Sequence, residues 1–209
     1  MNNRRLLAAM LLALCAALCV QAQTSSTAQV DIKDAETNLD TQLYLIVGTN
    51  QDVVESKLPA SLDPVVKQLH ATLPFKNYRL AATLLNRVKN EARVELSWIS
   101  GPLAATTANA SLTPSFSQFK VRQVKLVRNS EGQQMVQMQG FNFGARIPIQ
   151  TSGAIAANGA VAPVINYEST GLATDISMRE SEPVIVGTLN VGTSGDAIIL
   201  VVSARRTQR

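Results

Sequence analysis

Apolar and polar positions alternate most regularly in the last part of the chain. Over residues 171–204, Leu172, Thr174, Ile176 and Met178 take every second position, with polar or small residues between them. That is the period of a half-buried strand. Residues 179–182 read as a charged turn, and Pro183 stands at a strand's first position, where no ladder N–H is lost. Residues 184–189 continue as a strand, Gly192-Thr193-Ser194-Gly195 turns the chain, and residues 197–202 are an unbroken apolar run. An apolar run of that length fits a strand buried on both faces.

Upstream, residues 41–48 give the first strand. Asp63 suits a helix N-cap and Pro64 the first helical position. Val65, Val66, Leu69 and Leu73 then share one face at helical spacing, and Pro74 ends the helix. Residues 80–88 fit either a helix or a strand, whereas Val94, Leu96 and Trp98 mark a strand over residues 93–99. From Phe116 the pattern is β to the end. Phe119 and Val121 share a face, as do Val124 and Leu126, and the odd step between the pairs predicts a bulge near Arg122-Gln123. Residues 129–132 form a turn, and residues 135–138 and 141–143 pair back, with Gly140 and Gly144 as breaks. A short strand over 146–150 carries Pro148, which suits an edge, and residues 151–163 have the composition of a flexible excursion before 164–167 re-enter the sheet. The fold class is α+β, mostly β. A strand-helix-strand-strand lobe over 41–100 is followed by a linker or long loop at 101–115 and an antiparallel-rich, sandwich-like β domain over 116–209.

The N-terminus changes how the composition reads. Arg4 and Arg5 precede an apolar run from residue 6 to 20, and Ala22 ends a small-residue cleavage site. Residues 1–22 are therefore expected to be a secretory signal peptide, and the chain exported to the periplasm or beyond. The run is shorter than the ~20 residues a spanning helix needs, and no later stretch offers a transmembrane helix. Cys15 and Cys19 both lie in this segment, so the exported chain would hold no thiol for disulfides, catalysis or zinc. Two of the 19 basic residues also fall there, leaving 17 against 15 acids. A balance so near neutral gives nucleic acid no electrostatic footprint. Residues 23–40 are polar and read as a flexible leader.

No catalytic, cofactor-binding or metal constellation stands out. His70, the one histidine, falls off the apolar face of the helix, with no nucleophile or orienting partner in sequence. Asp31, Asp34, Glu36 and Asp40 cluster in the leader, but without the glycine and terminal glutamate of a calcium loop. Glu180 and Glu182 sit in a charged turn, which favours solvation over paired-carboxylate chemistry. Residues 192–195 lack the lysine and following helix of a phosphate-binding loop. Lys120, Arg122, Lys125 and Arg128, with Phe116 and Phe119, could suggest a single-strand nucleic-acid groove. A half-exposed antiparallel strand gives the same alternation. Arg205, Arg206 and Arg209 read as a frayed, solvated tail, and Asn109-Ala110-Ser111 is a formal glycosylation sequon of a kind common by chance.

The segment Gly144-Ala145-Arg146-Ile147-Pro148-Ile149-Gln150-Thr151 resembles the "G-x-x-I-P" strand of the secretins, the ring-forming outer-membrane pores of bacterial secretion and pilus systems. In that family a variable loop and a "V-x-Y-x-x-x-G-L-x-L-x-V" strand follow, and residues 164–172 are loosely similar to it. Residues 184–189 stand where the family has "V-V-x-G-G-L", with Thr188 for the second glycine, and residues 197–202 resemble its closing strand. Only residues 190–196 occupy the place of the family's long gate segment, and one tight turn cannot make a gate. The resemblance, carried by residues 144–204, implies a reduced secretin-related envelope protein, and the lack of any chemical constellation adds the expectation that it is not an enzyme. The resemblance also implies a β-rich, secretin-core-like sheet and partners among envelope or secretion-system proteins, with self-association as a further option. Strand addition at an exposed sheet edge is a physical route to such binding. An exported carboxylate-dependent hydrolase and a subunit of an outer-membrane pore are the competing expectations.

Overall fold

A computed structural model describes residues 37–51, 58–101, 103, 113–155, 161–191 and 195–207. The signal-peptide expectation, Asp31, Asp34 and Glu36, the sequon at Asn109, most of the linker, residues 192–194 and Arg209 lie outside them.

Among the described residues, two antiparallel sheets and one α-helix make up the fold, which is mostly β. The strands are β1 (Asn38–Thr49), β2 (Asn77–Lys89), β3 (Val94–Ser100), β4 (Ser115–Val121), β5 (Gln123–Arg128), β6 (Gln134–Ile155), β7 (Val161–Arg179), β8 (Val184–Val191) and β9 (Asp196–Arg206). The first sheet runs β2-β1-β9-β8. In the second, β3 pairs with β4, β4 and β5 lie end to end along one side of β6, and β7 pairs along its other side. The 41–100 and 116–209 segments therefore meet in one sheet, with β1 held between β2 and β9.

β9 is the apolar run read from the sequence, and both of its faces are covered. Ile198, Leu200 and Val202 face the second sheet together with Leu43, Leu45 and Val47 of β1, against Phe119, Phe141 and Phe143. Ile199 and Val201 face the other way with Tyr44 and Ile46, beneath Val65 and Leu69 of the helix. The order of layers is helix, sheet, sheet. Apolar side chains with strand period on β1 and β9 make one core on each side of the first sheet.

Helix α1 (Asp63–Thr72) uses Pro64 in its first turn, and Val65 and Leu69 are buried as their spacing predicts. Its start differs from expectation. A 3-10 turn over Ala60–Leu62 runs into it, so Leu62 is the N-cap, without a side-chain hydrogen bond, and Asp63 is already helical. The ambiguous 80–88 stretch is strand, within β2.

The largest corrections concern β6 and β7. The short pieces expected around Gly140, Gly144 and Pro148 are one strand of 22 residues, and the excursion over 151–163 gives up residues 151–155 and 161–163 to the two strands. Gly140 does not end the strand because it takes φ +62 in a bulge, where two residues of β6, 139 and 140, oppose Asp175 of β7. The Asp175 carboxylate accepts the Gly140 N–H at 2.5 Å. The odd step near Arg122 appears as the break between β4 and β5, with the Arg122 N–H donating to the Gln139 carbonyl at 2.9 Å. Pro148 is not on a short strand. It lies where β6 has β7 as its strand partner, opposite Tyr167.

Candidate functional site

The inner face of the second sheet is core, and its outer face is open. Along β3, β4 and the proximal half of β7 the exposed residues alternate strictly with buried or half-buried ones. Pairing aligns Ile99, Phe116, Arg146 and Ser169 across the four strands in one outward row, next to the row of Gln118 and Gly144. Ile99 is 67% exposed, Phe116 40% and Tyr167 36%, unusual values for residues of this size. The Phe116 and Tyr167 rings lie 5.7 Å apart, and the Arg146 guanidinium sits 5.6 Å from the Tyr167 ring centre. The Tyr167 hydroxyl donates to the Pro114 carbonyl at 3.2 Å, which holds the ring on this face. A groove of about 430 Å³ runs between these residues, over Gly144. A Cβ at Gly144 would meet nothing within 4 Å, so the glycine leaves the floor of the groove open.

Beyond the Ile99–Phe116–Arg146–Ser169 row, β6 and β7 pair only with each other among the described residues. This distal part of the hairpin continues through nine more residues of β6, on the order of 30 Å at ~3.3 Å each. On β7, residues 165–169 are exposed on both faces. A ribbon of that kind carries backbone donors and acceptors with no strand beside them.

A second groove, of about 450 Å³, lies on the helix side of the first sheet, where the helix leaves the sheet uncovered. Asp40 lies in it, tied to Arg87 at 2.9 Å, and the Thr207 hydroxyl donates to the Asp40 carboxylate at 3.0 Å. The Arg87 hydrogen bond holds the Asp40 carboxyl below its usual pKa. Asp40 thus belongs to β1, and the acidic leader cluster does not extend to it as a free carboxylate.

The expected charged turn is present at Glu180–Ser181, with Arg179 and Glu182 exposed, but Glu180 itself is not free in solvent. Its side chain is 19% exposed and bonds Arg206 at 3.0 Å, while the Arg206 N–H donates to the same oxygen at 2.9 Å. Arg205 and Arg206 are accordingly strand residues of β9 and not a frayed tail. Burial pushes the Glu180 carboxyl up, but the Arg206 hydrogen bonds outweigh it and the pKa is lowered. A carboxyl with a lowered folded pKa adds stability above its unfolded pKa and loses it as pH falls through the folded value. Melting temperature should therefore drop as pH is lowered below about 4. An Asp40→Asn, Glu180→Gln double variant should show a shallower acid limb in the same thermal-melt series. An unchanged limb would refute the assignment.

The remaining candidates are not brought together. His70 is exposed and meets Tyr78 edge-on at 4.7 Å. Lys120 pairs with Glu95 at 2.7 Å and Lys125 with Glu91 at 3.3 Å, partly exposed contacts of small individual value. Phe116 and Phe119 fall on opposite faces of the sheet, so they form no common stacking platform. Among the described residues no group of three His, Cys, Asp or Glu side chains could hold a metal ion, and no helix is long and apolar enough to cross a membrane. The open groove was not singled out from sequence. Its residues come from four strands, and only their positions in the alternation could have marked Ile99 and Phe116 as large apolar residues on an outward face.

No protein-family model matches the sequence, and no curated protein matches it. Among solved structures the chain is similar to the secretin-domain β-barrel of InvG from the Salmonella SPI-1 injectisome, at 9% identity and a TM-score of 0.37, covering 83% of this chain and 64% of that one. It is also similar to a chain of the Klebsiella pneumoniae type II secretion system outer membrane complex of PulD, PulS and the PulC HR domain. There the identity is 10% and the TM-score 0.33, covering 83% of this chain and 39% of that one. The chain thus spans less than two thirds of either.

Proposed function

We propose that this chain is an exported, non-enzymatic structural and protein-binding component of the bacterial cell envelope, accessory to a secretin-type secretion or pilus assembly. The observation that carries the reading is the β6–β7 hairpin. It leaves the sandwich with exposed β7 side chains on both faces and backbone groups that no described strand pairs, which suits strand addition by another protein. The order of secretin-resembling segments along residues 144–204 supports the same reading, and residues 144–151 and 164–172 fall on the two arms of this hairpin. Four of the carboxylates on which a hydrolase could draw, Asp40, Glu91, Glu95 and Glu180, are each tied to a cation.

Replacing residues 151–164 by Asn-Gly tests the proposal, because Gln150 and Ile165 are cross-strand partners and a two-residue turn can close the shortened hairpin between them. The natural chain should fractionate with the envelope and be cross-linked into a larger assembly with other proteins. The shortened chain should melt as before and be recovered as a free monomer. Recovery of the natural chain as a free periplasmic monomer would overturn the reading.

A further inference from the structure

We infer that the groove on the open face of the second sheet is a recognition site for an extended peptide segment that carries a carboxylate beside a large apolar side chain. The inference rests on the reading of the chain as a protein-binding component, and it names the chemistry of the partner. Three features of the groove define its occupant. Its walls, Ile99 and Phe116, are large apolar side chains left in water, which an apolar guest would cover. Its floor is Gly144, above which a side chain has room. Its one charged lining residue is Arg146, and no carboxylate among the described residues lies within ion-pair distance of that guanidinium. Tyr167 holds the guanidinium from one side, which pre-positions its remaining donors for a carboxylate. A single cation suits one carboxylate and is too little for a polyanion such as nucleic acid, whose binding scales with the number of phosphates neutralised. The groove also lies at the last row before the hairpin stands free, so a strand added to the hairpin would bring its side chains to this face. In strand addition the backbone supplies affinity and side-chain pockets supply selectivity.

The test measures binding of fluorescein-labelled nonapeptides in a Gly/Ser frame that differ only in a central pair: Asp-Leu, Asn-Leu, Lys-Leu or Asp-Ser. Fluorescence anisotropy with the purified full chain should show Asp-Leu binding at least tenfold more tightly than each of the others. Arg146→Glu should reverse the order, so that Lys-Leu exceeds Asp-Leu. Gly144→Leu, which adds a side chain where nothing stands within 4 Å, should abolish binding while leaving the melting temperature in place. Equal affinities for all four peptides, absence of binding, or no reversal with Arg146→Glu would overturn the inference. So would self-association of the chain that both variants abolish, since the groove would then be an interface between copies. Peptide recognition that fails while the cross-linked assembly persists would remove the groove alone. Assembly that fails while peptides still bind would remove the envelope reading alone.

Discussion

Replacing Phe119 by alanine should cost about 3–5 kcal/mol of folding stability, the usual range for truncating a fully buried phenylalanine. Phe119 is 1% exposed and sits in β4, directly opposite Phe143 of β6. Its ring centre is 5.2 Å from that of Phe141. All three rings belong to the inter-sheet core, against Leu45, Leu200 and Val202 of the first sheet. Strands paired on both sides cannot move independently to refill the space, so most of the cavity would remain. At about 2–4 °C per kcal/mol for a chain of this size, the melting temperature should fall by roughly 6–20 °C. Phe116→Ala is the control. Three residues away on the same strand, it lies on the open face and should move the melting temperature little while weakening the groove. Equal losses for the two variants in urea melts would mean that the faces have been assigned wrongly.

That contrast also shows what the sequence could and could not reveal. Phe116 and Phe119 are an odd number of positions apart, so any strand must place them on opposite faces. The apolar run of β9 was readable for a similar reason: only a strand covered on both faces uses Ile198 and Ile199, then Leu200 and Val201, without a polar break. The helix was readable from Pro64, Val65 and Leu69, but not its first residue, because the preceding 3-10 turn ends in apolar, buried Leu62 and offers no capping side chain. Local rules failed along β6. Glycine and proline are ordinarily punctuation, yet here Gly140 serves a bulge answered by Asp175, and Gly144 faces the open groove opposite Gly171. Each partner lies roughly 30 residues away, beyond any local window. The same holds for Glu180 and Arg206, whose pairing turns an apparent charged turn and a frayed tail into a clasp between the two sheets. The Ser181 N–H, donating to the Ala204 carbonyl at 2.8 Å, fastens the same corner.

Asp196→Ala should also destabilise the fold, by about 0.5–3 kcal/mol, for a different reason. Asp196 opens β9 and is 1% exposed, a rare position for a carboxylate without a compensating charge. An opposite charge, Arg79 of β2, lies across β1 and one row along the inner face of the same sheet. Burial lowers the Arg79 pKa, and the Asp196 carboxylate opposes that shift. The Arg79 guanidinium also donates to the Leu103 carbonyl at 3.3 Å, which ties the chain beyond β3 to the first sheet. Removing the carboxylate takes a favourable charge away from a half-buried cation, which keeps its Leu103 hydrogen bond. Removing both charges should cost less than the sum of the two single losses, because their attraction is then lost only once. In an Arg79→Met background Asp196→Ala is therefore expected to cost less than in the natural chain, with a coupling of about 0.5–3 kcal/mol in a urea-denaturation cycle. If Asp196→Ala costs the same in the natural and the Arg79→Met backgrounds, the two charges do not act on each other. The carboxylate would then serve the turn before β9, where Gly195 takes φ +74, and not the electrostatics of the core.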